Sequence, residues 1–369
     1  MRVCFLTSEF PPHPGGIARS ALRIVESLAG SGIEIHVFTP VQVASQPQTG
    51  PPERLRRNVY VYATEYSGDL SRALYASLSE IVGYYDRLLR FDLFHGFEIH
   101  MACPAISIAG NRPIIASFRG IDAVWMLEKP HYAKLATAVL NRANWITAVS
   151  TKALANARQI VDISTRSSFI PNAINAAEAV PWDPEPGVVG TACTFRPKKQ
   201  IPMLVRAYAR LSPKLRSHLL LVGGSRRSVQ RLAVESEIDR QCIRGETTIT
   251  GIVDRTKVFA FMARMNVFVI CSDHEGLPNA ILEAAATGLP IVATAIDGIK
   301  DLFQDGVDAL LVPRGDDAAL TKAIEDVLGD RTIGATLGRN AKQLASRCTI
   351  EREQEAWREL YLKLGATIL

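Results

Sequence analysis

Residues 267–294, VFVICSDHEGLPNAILEAAATGLPIVAT, contain the pattern that decides the fold. The apolar run Val267–Cys271 predicts a buried strand, and the alanine-rich segment after the polar loop predicts a helix. The β-branched run Ile291–Thr294 predicts a second strand. Because alternating strands and helices are typical of parallel sheets with helices on both faces, this stretch predicts an α/β fold.

The same alternation continues on both sides of this stretch. The second half of the chain has further predicted strands at 188–194, 219–222, 248–251 and 309–312. The first half has predicted strands at 3–7, 33–39, 59–63, 93–95, 114–118, 146–149 and 169–170. The first two of these strands are separated by a predicted helix at Ala18–Ala29. The chain therefore divides into two similar α/β halves.

The segment 180–187, VPWDPEPG, separates the halves and predicts a linker, because prolines and glycine cannot continue a helix or a central strand. A chain of 369 residues also suits two domains of roughly 100–200 residues each. We expect two Rossmann-like, doubly wound parallel-sheet domains, at 1–179 and 187–349, that face each other across a cleft. The cleft is the expected active site, since ligands of such sheets bind beyond the carboxyl ends of the strands.

The end of the chain, 350–369, predicts a helix that packs back onto the first domain. Its apolar side chains recur at helical spacing and need an apolar surface to pack on. They are Trp357, Leu360, Tyr361 and Leu364.

Composition excludes several classes of protein. With 47% hydrophobic and 21% charged residues, the chain is neither disordered, collagen-like nor a disulfide scaffold. A net charge of +5 is too diffuse for a nucleic-acid binder, although it suits an enzyme that handles anions. The six cysteines form no CxxC pair, which favours a reducing compartment. With neither a signal peptide nor an apolar membrane span in the sequence, we expect a soluble cytoplasmic protein.

Two glutamates mark the 267–294 stretch as a candidate site. Glu275 lies in the loop and Glu283 eight residues further, about two helical turns away. Between them, the backbone N–H groups of Gly276 and Leu277 can bind a phosphate at the helix start. Carboxylates near a phosphate are costly unless they bind hydroxyls, such as those of ribose and a sugar. The alternative, an acid favoured at a helix start, explains Glu275 but not Glu283 in its apolar surroundings.

Two further loops can bind anions. In TFRPKKQ, 194–200, one arginine and two lysines follow a predicted strand and can bind phosphate. In PPHPGGIARS, 11–20, Gly15 and Gly16 precede a predicted helix and allow a ligand to approach the backbone. The spacing is not GxGxxG, which argues against a dinucleotide dehydrogenase. An ordinary solvated loop and a simple strand-to-helix turn are the respective alternatives.

Together these motifs resemble one family. Residues 275–294, EGLPNAILEAAATGLPIVAT, resemble the E-x7-E signature of retaining GT-B glycosyltransferases of family 4. The stretch 298–313, PPHPGGIARS at 11–20 and FIPNAIN at 169–175 are similar to other landmarks of that family, so the likeness covers nearly the whole chain. The resemblance implies a metal-independent hexosyltransferase of glycan, glycolipid or glycoconjugate biosynthesis. Such an enzyme moves a sugar from a nucleotide-diphosphate donor to an acceptor hydroxyl with retention, and needs no cofactor.

The resemblance also implies roles for individual residues. Arg196 and Lys199 would neutralise the leaving diphosphate, Glu275 would bind hydroxyls of the transferred sugar, and Glu283 those of the ribose. The other expected donor contacts are Gly15, Gly16, Arg119, Lys198, Gly276, Leu277, Pro278 and Asn279. The candidate contacts to acceptor or sugar are His13, His95 and His100. For His95 and His100, a hydrogen-bonded structural role is the alternative.

This sequence departs from the family pattern at two points. The family spaces its arginine and lysine five residues apart, but Arg196 and Lys199 are three apart, so either Lys198 or Lys199 can serve. Arg119 stands where many members have a histidine that touches the donor sugar. We expect Arg119 near the sugar, where it can pair with an anionic group, and a bond to Asp122 or to backbone is the alternative.

Other properties stay open at this level. The acceptor can be a glycan, a lipid or a small molecule, no nucleic-acid partner is expected, and the sequence leaves the oligomeric state and the donor base open. The basic stretches 54–57 and 84–90 can touch anionic lipid, with an ordinary solvated helix face as the alternative. The alternative functions are a GT-B sugar phosphorylase, a nucleotide-sugar epimerase and a non-catalytic sugar-nucleotide binding protein.

Overall fold

The computed structural model describes residues 1–13, 15–42, 53–66, 72–120, 128–225 and 228–365. The chain forms two compact units, one of residues 1–172 together with 351–369, the other of residues 173–350. Within the described residues, no helix is both long and apolar enough to cross a membrane.

The first unit contains a sheet of eight strands within its described residues. In chain order they are β1 (Arg2–Leu6), β2 (Glu34–Gln42), β3 (Glu53–Arg56), β4 (Val59–Tyr66), β5 (Leu93–Gly96), β6 (Ile114–Phe118), β7 (Trp145–Ala148) and β8 (Ser167–Phe169). Their order across the sheet is β3-β4-β2-β1-β5-β6-β7-β8. The helices are α1 (Gly16–Gly30), α2 (Arg72–Leu89), α3 (Cys103–Ile108), α4 (Pro130–Arg142) and α5 (Thr151–Arg158). Buried apolar clusters on the two faces of the sheet form the core.

The second unit contains a fully parallel sheet of six strands within its described residues. These are β9 (Val188–Thr194), β10 (His218–Gly224), β11 (Thr247–Ile249), β12 (Val267–Ile270), β13 (Ile291–Thr294) and β14 (Leu310–Val312). Their order is β11-β10-β9-β12-β13-β14, which is the doubly wound order of a Rossmann sheet. Its helices are α6 (Ile201–Arg210), α7 (Ser228–Arg240), α8 (Arg255–Ala263), α9 (Asn279–Thr287), α10 (Asp297–Lys300), α11 (Asp317–Gly329) and α12 (Arg331–Ala345). The C-terminal helix α13 (Ile350–Gly365) follows, and from Glu351 onward it belongs to the first unit.

The two predicted parallel sheets are confirmed, and one strand was not predicted. Strand β3 pairs antiparallel with β4 at the edge of the first sheet, so the basic stretch 54–57 belongs largely to an edge strand. Charged side chains are typical of edge strands because they discourage pairing with another chain. The second basic stretch, 84–90, lies at the end of α2 with Tyr84 and Leu88 exposed. Contact of either stretch with lipid stays a prediction.

The segment between the predicted domains belongs to the second unit. The sequence predicts residues 173–179 as part of the first domain, but they group with the second unit. One of their contacts there is a β-bridge between Ile174 and Thr349. The predicted linker 180–187 contains neither helix nor strand. It is nevertheless fixed to the second unit, since the Trp182 indole donates a hydrogen bond to the carbonyl of Met265 at 2.8 Å.

The C-terminal helix α13 packs on the first unit. Its side chains Trp357, Leu360, Tyr361 and Leu364 are buried in the same apolar cluster as strands β1 and β2. On the same helix, Glu353 forms an ion pair with Arg23 of α1 at 2.6 Å. A chain segment distant in sequence thus completes the core of the first unit.

We expect Tyr361→Phe to lower the free energy of unfolding by about 1–3 kcal/mol. The Tyr361 hydroxyl lies 2.6 Å from Nδ1 of the buried His95, and its removal leaves that nitrogen without a partner. Urea unfolding measures the effect, and Leu362→Ala on the exposed face of α13 is the control, expected within about 0.5 kcal/mol of wild type. Equal stability of Tyr361→Phe and wild type would contradict this role.

Candidate active site

The candidate site of the second unit lies where the strand order of its sheet reverses. Strands β9 and β12 are neighbours, and they lead to β10 and β13 on opposite sides. The loops that follow their carboxyl ends, 195–200 and 271–278, therefore meet at one edge of the sheet. In doubly wound sheets a crevice for ligands forms at this switch point. Four of the candidate charges from the sequence lie in these two loops, namely Arg196, Lys198, Lys199 and Glu275.

Three charged side chains meet between these loops. Lys198 Nζ donates a hydrogen bond to Glu275 Oε2 at 3.1 Å, and Lys199 Nζ lies 2.5 Å from Glu275 Oε1. The Glu275 side chain is 10% exposed, and those of Lys198 and Lys199 are 21% and 17% exposed. Burial by itself raises the pKa of Glu275, but Lys199 and Lys198 outweigh it and lower the pKa to about 2. At neutral pH the site therefore holds one carboxylate between two cations.

Both Lys198 and Lys199 form ion pairs with Glu275. Residues Pro197–Lys199 form a single 3₁₀ turn, which brings both lysines to the loop after β12. Arg196 precedes that turn in extended backbone, with φ −124° and ψ 149°, and its side chain is exposed. The two lysines, rather than an arginine and a lysine, are thus the ion-pair partners of Glu275.

The loop before Glu275 is held by groups that the sequence analysis did not single out. Asp273 accepts a hydrogen bond from Gln200 Nε2 at Oδ2, 2.7 Å, and its backbone N–H donates to the Lys198 carbonyl at 2.9 Å. The Asp273 carbonyl accepts a hydrogen bond from Nη1 of Arg314, 3.0 Å away, just after β14. Gln200 and Asp273 each adjoin a predicted site residue in sequence, whereas nothing in the sequence connects Arg314 to this loop.

Helix α9 begins beside Glu275, with Pro278 as its N-cap and Asn279 as its first residue. No side-chain hydrogen bond caps this end of the helix. Phosphate binding by the backbone N–H groups of Gly276 and Leu277 stays a prediction. Gly276 and Leu277 are buried in the preceding loop, and a Cβ on Gly298 would overlap the carbonyl of Gly276.

Glu283 lies on α9 and is 2% exposed. Glu275 precedes the helix, so helical periodicity does not relate the two glutamates, and the predicted two-turn separation is wrong. The helix begins only at Asn279, with Pro278 as its N-cap, and Glu275 lies in the loop before it.

The first unit has its own switch point, between β1 and β5. There the buried Glu98 accepts hydrogen bonds from the Ser8 backbone N–H at 3.1 Å and from Thr7 Oγ1 at 3.2 Å. The glycine loop, which contains Gly15 and Gly16, follows β1 in the chain and leads into α1. Gly15 is the N-cap of α1, and the exposed Gly16 is its first residue. Sequence reasoning missed Glu98, because its partners lie 90 and 91 residues away.

His13 contacts this glycine loop. The Gly15 N–H donates to His13 Nδ1 at 3.2 Å, and the same nitrogen lies 3.3 Å from a carboxylate oxygen of Glu9. The imidazole side chain is 46% exposed. Its contact with acceptor or sugar stays a prediction.

Arg119 is enclosed at the end of β6, with 7% of its surface exposed. Its guanidinium donates a hydrogen bond to Asn172 Oδ1 at 2.5 Å and lies over the Phe97 ring, 4.6 Å from the ring centroid. Asp122, the alternative partner considered from sequence, lies outside the described residues. Asn172 in FIPNAIN is therefore a partner of Arg119 that the sequence did not indicate.

His95 and His100 are both buried, with 0% and 5% of their surfaces exposed. Both nitrogens of His95 are used, Nδ1 with Tyr361 at 2.6 Å and Nε2 with Ser117 at 2.8 Å. Burial, with a smaller effect from Arg119, lowers the pKa of His95 well below its usual range. His100 is buried against Tyr132, and burial lowers its pKa to about 4. Both rings are thus buried and neutral, and the contact with acceptor or sugar expected for them stays a prediction.

Comparison with known proteins identifies the family. The family model described as Glycosyltransferase Family 4 matches residues 14–178. The family model described as Glycosyl transferases group 1 matches residues 186–330. A GDP-mannose-dependent alpha-mannosyltransferase of Mycolicibacterium smegmatis is 25% identical, covering 90% of each chain.

Solved structures agree in fold. Sucrose-phosphate synthase from Thermosynechococcus elongatus superposes with a TM-score of 0.88 at 21% identity, over 100% of both chains. Anabaena HepE in complex with UDP-glucose superposes with a TM-score of 0.82 at 18% identity, over 98% of this chain and 100% of that one. On its sheets, its motifs and these matches, the chain belongs to the family 4 glycosyltransferases and has their GT-B fold.

Proposed function

We propose that this glycosyltransferase moves a hexose from a nucleotide-diphosphate sugar to an acceptor hydroxyl with retention of configuration and without a metal ion. The observation that carries the proposal is the pairing of Lys198 and Lys199 with Glu275 at the switch point of the second sheet. Two fixed cations can stabilise the charge that develops on a departing diphosphate, which is the task that Mg²⁺ performs in metal-dependent enzymes. A buried carboxylate between them can accept hydrogen bonds from sugar hydroxyls.

Binding of the donor exchanges partners within this cluster. The diphosphate takes the place of Glu275 beside the lysines, and the released Glu275 accepts hydrogen bonds from the hydroxyls of the sugar. The start of α9, which no side-chain hydrogen bond caps, faces the phosphate nearer the nucleoside with its backbone N–H groups. The ribose hydroxyls then face Glu283.

The transfer step conserves atoms and charge without an enzymatic nucleophile. The bond from the anomeric carbon to the phosphate oxygen breaks, and the acceptor oxygen forms its bond on the same face of the sugar. The acceptor proton passes to the leaving phosphate oxygen, so the products are the glycoside and the nucleoside diphosphate. The lysines act at this step because the negative charge on the leaving group is then largest.

The donor base and sugar are best found by binding. A thermal-shift screen with UDP, GDP, ADP and dTDP and their sugars identifies the donor, because a ligand that binds only the folded protein raises its Tm. The best donor is then incubated with candidate glycan, lipid and small-molecule acceptors in the presence of EDTA. Retained anomeric configuration and turnover in EDTA support the proposal. Turnover that requires inorganic phosphate would instead identify a phosphorylase.

We expect Glu283→Gln to weaken donor binding about 10–100-fold with a smaller change in kcat, because hydrogen bonds from ribose to a charged acceptor are lost. Isothermal titration with the donor measures the affinity, and the Tm of the free variant shows whether the buried site still folds. Glu359→Gln, on the exposed face of α13, is the control with the same chemical change. Unchanged donor affinity in a folded Glu283→Gln variant would remove Glu283 from the donor site.

A further inference from the structure

Asp273 connects the two loops that carry the charged cluster. Its carboxylate accepts a hydrogen bond from the Gln200 side chain at 2.7 Å, and its backbone N–H donates to the Lys198 carbonyl at 2.9 Å. These contacts lie directly beside both lysines and two residues before Glu275, yet they involve neither the lysine ammonium groups nor the Glu275 carboxylate. The loops are therefore joined independently of the ion pairs.

Gln200 adopts a left-handed backbone conformation, which is unfavourable for residues that have a side chain. Its φ of 48° and ψ of 39° lie in the left-handed region, where glycine is the least strained residue. The residue is also the N-cap of α6, but its side chain does not cap that helix. The side chain instead extends to Asp273. A strained backbone next to a charged cluster indicates that the Gln200 side chain has a function there, which glycine could not provide.

We propose that Gln200 and Asp273 are positioning residues, a clamp that holds Lys198 and Lys199 in place while the donor diphosphate replaces Glu275. This inference rests on the proposed function. In the free protein Glu275 also holds the two lysines, so the clamp is then redundant. Once the lysines have exchanged Glu275 for the diphosphate, the Gln200–Asp273 hydrogen bond still joins the loops. The clamp therefore acts mainly in the donor-bound enzyme.

The experiment compares Gln200→Gly, Asp273→Ala and Asp273→Asn. Gln200→Gly removes the hydrogen bond and relieves the strained backbone, so its Tm equals or exceeds that of wild type while kcat falls about tenfold. Asp273→Ala lowers kcat by a similar factor. Asp273→Asn retains a carbonyl oxygen that can accept from Gln200, so it keeps most of the activity. Because both residues form one hydrogen bond, the double variant Gln200→Gly/Asp273→Ala is no slower than either single variant.

Cys242→Gly is the matched control for backbone strain. Cys242 is exposed in the same unit and has a φ of 56°, but it lies outside the two loops. We expect its kcat to equal that of wild type. A Gln200→Gly variant with full kcat overturns the clamp, as does a loss in Asp273→Asn as large as that in Asp273→Ala.

Failure of the clamp and failure of the proposed function give different results. If no nucleoside diphosphate raises the Tm of the wild-type protein and no donor is turned over, the proposed function is wrong. If the wild type binds and turns over a donor while all the variants match it, only the clamp is wrong. Additive losses in the double variant would likewise show that the two residues act separately.

Discussion

Replacement of Lys199 by alanine is expected to lower kcat for sugar transfer about 10²–10³-fold, the usual effect of removing one fixed group that stabilises developing negative charge. Lys199 makes the shorter of the two contacts with Glu275, at 2.5 Å, and its side chain is mostly enclosed. When the donor replaces Glu275, this cation faces the leaving diphosphate with little competition from water. Steady-state kinetics with saturating donor and acceptor measure the effect, and KM for the donor changes less than kcat.

Three further variants serve as comparisons for Lys199→Ala. Lys198→Ala is expected to lower kcat about tenfold, because the contact of Lys198 with Glu275 is longer, at 3.1 Å. Lys214→Ala removes an exposed lysine elsewhere in the same unit and should leave kcat unchanged. Arg196→Ala tests whether an arginine serves the leaving group, as the family pattern implies, or whether the two lysines do. We expect a smaller loss of kcat than for Lys199→Ala because Arg196 is exposed. If Lys198→Ala and Lys199→Ala both keep wild-type kcat, the leaving-group assignment is wrong.

The Glu275→Gln variant is expected to bind a nucleoside diphosphate about tenfold more tightly than wild type while transferring sugar at least about 100-fold more slowly. In the wild-type protein a diphosphate must first break two Lys–Glu ion pairs. Glutamine removes that competing charge but also the charged acceptor for sugar hydroxyls. Isothermal titration with the nucleoside diphosphate identified by thermal shift separates the two effects, since this ligand carries no sugar.

The same variant is expected to be less stable than wild type in a pH-dependent way. The pKa of Glu275 falls from 4.5 to about 2 on folding, which corresponds to about 3 kcal/mol of stability at pH 7. Because the folded pKa is the lower one, this contribution is present above pH 4.5 and is lost as the pH falls towards 2. The stability difference between wild type and Glu275→Gln should therefore shrink to about 1 kcal/mol at pH 3, as measured by urea unfolding.

Asp317→Asn is the control for the loss of a bridging carboxylate. Asp317 pairs with Arg206 at 2.6 Å and with Arg210 at 3.5 Å, so it also lies between two cations of the second unit. We expect this variant to lose stability without a change in nucleotide affinity. A gain in nucleotide affinity in Asp317→Asn as large as that in Glu275→Gln would assign the effect to net charge rather than to the Glu275 ion pairs.

Most of the secondary structure and the charged motifs could be predicted because their signals are local. Three predicted strands, 114–118, 188–194 and 291–294, have the same bounds in the structure, since each is a short apolar run with clear turn signals at its ends. Strand β3 escaped prediction because three of its four residues are charged, so it has no apolar alternation.

The sequence alone determined the two-sheet α/β architecture, the apolar face of the C-terminal helix and the loops that carry the candidate charges, because period and turn chemistry are set by neighbouring residues. The tertiary structure alone decided which charges meet. It placed both lysines, rather than Arg196, on Glu275, and it buried His95 beside Tyr361, 266 residues away. Such partners depend on strand order and on the path of each loop in space, and the spacing of residues along a chain specifies neither.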